Sequence, residues 1–104
     1  MENNKYKIKY LPTFSNQLNS ILYYFAYELK NKIVAENFYK EVMQKIEKRS
    51  ISPASFEIFK KTKEEGVNWY RIQVKKFTIF YVVKGDTMEV RRTLYSRRIF
   101  DKLV

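Results

Sequence analysis

Apolar and polar side chains alternate at the start of the chain, with Tyr6, Ile8 and Tyr10 on one face and Lys5, Lys7 and Lys9 on the other. That is the period of a half-buried strand. Pro12 ends the strand, and Thr13 or Ser15 is placed to cap a helix whose apolar stripe is Phe14, Leu18, Ile21, Leu22, Phe25 and Leu29. The stripe breaks near Lys30 to Lys32 and resumes as Val34, Ala35, Phe38, Val42 and Ile46, running up to Ser50 and Pro53. So short a connection folds the two helices back on each other as a hairpin. From Phe56 onward the period is two, which predicts strands near Phe56 to Thr62, Val67 to Lys75, Phe77 to Lys84 and Thr87 to Tyr95. Gly66 falls in the first turn, a very short turn precedes Phe77, and Gly85-Asp86 makes the last. The order β-α-α-β-β-β(-β) predicts an α+β fold, with a helical hairpin packed on one face of a mainly antiparallel sheet.

Composition fits one such domain over residues 1–104, with 45% hydrophobic residues to fill a core and only two Gly and two Pro. The absence of Cys and His narrows the chemistry. No thiolate nucleophile, Cys/His zinc site or imidazole acid/base is available, so catalysis would fall to Lys, Arg, Tyr or carboxylates, and no metal or cofactor is expected. The first ten residues lack the apolar run of a secretory signal and no stretch reads as a membrane span, which fits a cytoplasmic protein with no membrane role. The net charge of +10 implies an anionic partner, the bland alternative being a Lys-rich background that keeps the protein soluble.

Alternation also sorts side chains by face. Tyr70, Ile72 and Val74 should meet the helices, leaving Trp69, Arg71, Gln73 and Lys75 on the other side. In the last strand Val90 and Leu94 should point inward and Arg91, Thr93 and Tyr95 outward, with Arg97 and Arg98 just beyond. The result is an open, basic sheet face carrying aromatic rings, where guanidinium groups could hold phosphate and rings could stack on unpaired bases. Lys5, Lys7, Lys9, Lys40, Lys45, Lys48 and Arg49 read as solvated faces. Tyr23, Tyr24 and Tyr27 read as packing at the edge of the hairpin, with a protein interface as the alternative.

Several strings, in this order, resemble the RelE/ParE superfamily of toxins over nearly the whole chain. They are Ile21-Leu22-Tyr23-Tyr24-Phe25 in the first helix, Asn31 to Phe38 opening the second, Pro53 after it, Trp69-Tyr70-Arg71-Ile72, Phe77 to Val83, and Leu94-Tyr95-Ser96-Arg97-Arg98 at the end. The resemblance implies a growth-inhibiting, plasmid-stabilising toxin of a type II toxin–antitoxin pair. A cognate antitoxin would neutralise it, in a hetero-oligomer or beside a toxin homodimer. Two targets occur in the superfamily: RelE-like members cut mRNA on the ribosome, and ParE-like members poison DNA gyrase.

RNA cleavage needs a base for the ribose 2′-OH, an acid for the leaving oxygen and cations on the phosphate. By resemblance Arg71, Tyr95 and Arg97 would be the catalytic set, with Arg71, Gln73, Lys75, Arg91, Tyr95, Arg97 and Arg98 meeting the target or nucleic acid. Two positions depart from the nuclease pattern: Gln73 stands where a second strand cation is usual, and Thr78 where many nuclease members carry Arg. Arginine cannot take a proton, so it serves only as a charge clamp. The segment Asn31 to Phe38 and the long hairpin look closer to ParE-like members, which favours gyrase over mRNA. A decayed toxin, or a module that only binds nucleic acid, is the third reading.

Overall fold

The computed structural model describes residues 5–61 and 67–97, without the side chains of Lys60 and Lys61. The elements are β1 (Lys7–Tyr10), α1 (Pro12–Tyr23) continued by a π-helical turn (Tyr24–Glu28), α2 (Lys32–Arg49), a 3-10 turn (Pro53–Ser55), β2 (Lys60–Lys61), β3 (Asn68–Val74), β4 (Phe77–Lys84) and β5 (Thr87–Tyr95). The strands form one sheet in the order β1-β5-β4-β3-β2. β1 runs parallel to β5, and every other pairing is antiparallel. The expected α+β layering is what the chain adopts.

The local signals explain most of the boundaries. Pro12 sits in the first turn of α1, where its missing N–H costs nothing. Leu11 is the N-cap residue and no side chain caps the helix, which corrects the expectation for Thr13 or Ser15. α2 does have a side-chain cap: Asn31 Oδ1 accepts from the Val34 N–H at 3.1 Å. Between the helices the π-turn inserts an extra residue into the helical period, and Leu29 N–H reaches back to Tyr24 O at 2.9 Å. Lys30 then turns left-handed at φ 52°. The insertion rotates Leu29 off the stripe to 53% exposure, while Phe25 still packs on the core. Val34, one residue ahead of Ala35, also lies outside the stripe at 42% exposure. Gly85 turns β4 into β5 at φ 59°, as expected of a two-residue hairpin loop. In the turn before Phe77, Lys75 takes the positive φ of 52° in place of a glycine, so Lys75 belongs to the turn and not to β3.

The helices cover one sheet face. Phe14, Leu18, Phe38, Val42 and Ile46 meet Tyr70, Ile72, Val74, Ile79, Tyr81, Met88 and Val90 in a continuous core. Phe25, Phe38 and Phe77 form an edge-on aromatic trio, with Phe38 5.4 Å from Phe25 and 5.2 Å from Phe77. The strand expected from Phe56 to Thr62 shrinks to Lys60–Lys61. Phe56 and Ile58 are exposed, and Thr62 and Gly66 lie outside the described residues. Arg49 governs this stretch and is not a solvated cation: it donates to Arg71 O at 3.1 Å and to the Tyr81 hydroxyl at 2.9 Å, and lies 3.6 Å over the Phe56 ring. Tyr81 in turn donates to Pro53 O at 2.7 Å. That knot takes Phe56 out of the sheet. Among the described residues no helix is long and apolar enough to cross a membrane.

Phe38→Ala is expected to lower unfolding free energy by about 3–5 kcal/mol in urea titrations, because it empties the centre of the aromatic trio. A second outcome concerns alkaline pH. Burial pushes the Tyr81 phenol above its ordinary 10.0, which Arg49 only partly offsets. The unfolded phenol ionises first, so this contribution is whole below about pH 10 and is lost as pH rises toward the folded value. Tyr81→Phe is expected to cost about 1–2 kcal/mol at neutral pH and to flatten the alkaline decline.

Candidate functional site

Of the residues that the sequence singles out, Arg71, Gln73 and Arg91 lie on the sheet face turned away from the helices. Cross-strand partners share a face, so the row Arg71–Phe80–Arg92 and the row Gln73–Thr78–Leu94 both lie there. Arg71 is exposed, lies 4.9 Å over the Phe59 ring and has Glu57 Oε1 at 3.8 Å. Gln73 is bonded to Thr78 and Ser96. Lys75 does not join this face as expected: from the strained turn its ammonium reaches the helix side, 3.4 Å from Glu41 of α2.

β5 does not keep strict alternation. Phe80 pairs with Arg92 but Tyr81 pairs with Val90, so Arg91 is an inserted bulge residue. Everything after it changes face. Thr93 pairs with Ile79 and is 1% exposed, its N–H donated to Gln17 Oε1 of α1 at 2.9 Å. Tyr95 pairs with Phe77 and its ring lies 5.6 Å from that ring, on the helix side. Leu94 takes the opposite side, so the expected places of Thr93, Leu94 and Tyr95 are all reversed. The bulge also turns Arg92, which alternation alone does not mark, onto the face of Arg71. Arg92 Nε is buried with no hydrogen-bond partner, whereas Arg91 is joined to Glu89 at 2.7 Å and lies 5.5 Å over Trp69.

This face is not an open platform. Phe80 is 4% exposed and Val82 fully buried, with Phe59 5.1 Å and Trp69 5.9 Å from the Phe80 ring. Its rings are engaged with one another and with Arg71 and Arg91, so the stacking surface expected from the sequence is largely filled. The arrangement can clamp anionic charge through Arg71 and Arg92. Proton transfer has less support: Tyr95 is on the other face, and Glu89 is tied to Arg91. Arg97 follows Tyr95 on an exposed helical turn, and Arg98 lies outside the described residues. Among the described residues no group of three or more acidic side chains could hold a metal ion.

A second feature lies on the outer side of the hairpin. Tyr23, Tyr24 and Tyr27 are 60%, 51% and 57% exposed, which corrects the expectation that they pack. Together with Leu22, Ala26, Ala35 and Tyr39, Tyr23 and Tyr27 line an apolar groove between α1 and α2.

The model of the ParE toxin of the type II toxin–antitoxin system parDE matches residues 8–100. The chain belongs to the ParE toxin family. No curated protein matches it. Among solved structures this ParE-family chain is similar to the chromosomal ParDE system of P. aeruginosa, with a TM-score of 0.65 and 16% identity over 86% of this chain and 95% of that one. It is also similar to the RelB–RelE antitoxin–toxin complex of Methanococcus jannaschii, with a TM-score of 0.57 and 26% identity over 92% and 99%. The archaeal RelE–RelB complex of Pyrococcus horikoshii OT3 gives 0.53 and 14% over 90% and 98%. The ParE-family chain thus shares its fold with toxins of both branches of the superfamily.

Charge on this face is testable on a labelled single-stranded oligonucleotide used as a polyanion. Arg71→Ala and Arg92→Ala are each expected to lower the slope of log K against log salt by about 0.7. Arg91→Ala should change it much less, because Glu89 holds that guanidinium at 2.7 Å in a largely buried pair, whereas Glu57 stands 3.8 Å from Arg71 in an exposed one. Equal slopes for all three variants would remove the clamp.

Proposed function

We propose that this ParE-family toxin is non-catalytic, that it arrests growth by engaging DNA gyrase through its basic C-terminal end, and that it acts in the cytoplasm. The bulge in β5 carries this reading. Arg71 and Tyr95, which RNA cleavage would bring to one phosphate, stand on opposite faces of the sheet, and the rings that would stack on bases are occupied. Gln73 and Thr78, in the places of nuclease cations, bond to each other and leave no strand charge there. Arg97, with Arg98 next in the chain, remains as an exposed cationic end. A cognate antitoxin holds the toxin inactive, as RelB accompanies RelE in the M. jannaschii complex. Its acidic, partly helical segment fits the apolar groove of the hairpin or the sheet edge, where the charge of +10 attracts it.

The 26% identity to the M. jannaschii RelE–RelB pair favours a second reading, a ribosome-dependent mRNA endonuclease using Arg71, Tyr95 and Arg97. One experiment separates the two. Purified toxin is added to gyrase with supercoiled plasmid and, separately, to translating ribosomes. Trapped cleaved DNA with intact mRNA is the expected result, abolished by Arg97→Ala. Cut mRNA with intact supercoiling would assign the nuclease reading, and inactivity in both assays with no growth arrest would mean a decayed toxin or a module that only binds nucleic acid.

A further inference from the structure

Gln73, Thr78 and Ser96 form a closed ring of hydrogen bonds at the end of the sheet where β5 leads into Arg97. Thr78 Oγ1 donates to Gln73 Oε1 at 3.0 Å, and Gln73 Nε2 donates to Ser96 Oγ at 2.9 Å. Ser96 Oγ and Thr78 Oγ1 are 2.8 Å apart. The single Thr78 hydroxyl hydrogen is already given to Gln73, so Ser96 must be the donor in that last contact. Each of the three groups therefore donates once and accepts once around the ring, an arrangement in which the bonds reinforce one another.

The ring is fastened to the strained turn. The second Gln73 Nε2 hydrogen goes to Lys75 O at 2.7 Å, and the Ser96 N–H goes to Lys76 O at 2.8 Å. Both carbonyls of the Lys75–Lys76 turn thus hold the residues around Ser96, and Lys75 has the left-handed φ of 52° that a non-glycine residue keeps only when its surroundings enforce it. Thr78 is 4% exposed, so water competes little for its hydroxyl. Arg97 is the next residue after Ser96. A flexible arginine would lose much of its binding energy to ordering, and the ring lowers that cost by fixing the backbone from which the guanidinium projects.

We propose that Gln73, Thr78 and Ser96 are positioning residues that aim Arg97 at the toxin's target. The proposal rests on the reading of the basic C-terminal end as the part that meets the target. Two residues that look like lost nuclease cations thereby acquire a role of their own.

The test measures growth arrest on induction for the parent and for Arg97→Ala, Ser96→Ala, Ser96→Thr and Thr78→Val, with amide hydrogen exchange on the same purified proteins. Ser96→Ala and Thr78→Val are expected to need about tenfold more toxin for the same arrest, the loss of roughly one coupled hydrogen bond. Ser96→Thr, which keeps the hydroxyl, should restore the parent response. Exchange at the Ser96 and Arg97 amides should quicken about tenfold in Ser96→Ala and Thr78→Val while the β4 amides stay protected. Arrest lost with Arg97→Ala but unchanged in Ser96→Ala and Thr78→Val would overturn the positioning role alone. Full arrest with Arg97→Ala would overturn the reading of the terminus and this proposal with it. Where the parent itself gives no arrest, unchanged exchange at Ser96 and Arg97 in the two variants would still overturn the fixing of the turn.

Discussion

At the centre of the sheet, Phe80 faces Arg92 while its neighbour Tyr81 faces Val90, and Arg91 is the residue that fits in neither pairing. Side chains on a strand alternate without choice, so one added residue moves every later side chain to the other face. Thr93 and Tyr95 are thereby brought under the helices, Leu94 is turned out, and Arg92 joins Arg71. The same insertion decides what the terminus can do, because it parts the tyrosine from the arginines. Any chemistry that needs both at one atom has to contend with the thickness of a sheet.

The outer edge of β3 shows how the cationic surplus is used structurally. Beyond the short β2, the carbonyls of Arg71 and Gln73 would be bare, a template for another strand. Arg49 donates to the first and Lys45 to the second, each at 3.1 Å, from consecutive turns of α2. The long side chains of one helix thus occupy the edge and tie the hairpin to the sheet beyond its apolar contacts. Part of the charge of +10 is therefore not surface decoration.

The element order, the parallel hairpin stripes around Phe38 and Val42, and the faces of Tyr70, Arg71, Ile72 and Gln73 were legible because period alone fixes them in regular segments. What escaped was irregularity. The π-turn that exposes Leu29 and the bulge at Arg91 each add one residue to a repeat, and no residue type near them announces it. The Arg49 knot was equally hidden, since the acceptors of its guanidinium, the Tyr81 hydroxyl and Arg71 O, are distant in sequence and the second is a backbone atom. Of the candidate site, Arg71 and Gln73 were placed on the right face, Tyr95 on the wrong one, and Arg92 was missed for the same reason as Tyr95 was misplaced.

β1 occupies the sheet edge beside β5, with Lys7 opposite Thr87 and Tyr10 opposite Val90. β1 therefore has no partner until β5, the last of the described strands, has formed. Loop closure over so much chain must precede the contacts that reward it, which makes assembly of this edge slow in comparison with the local helical hairpin. The groove between α1 and α2 can form early, while the end that carries Arg97 exists in its final geometry only after the sheet has closed. In the order of folding, the groove of the hairpin precedes the turn that presents the guanidinium.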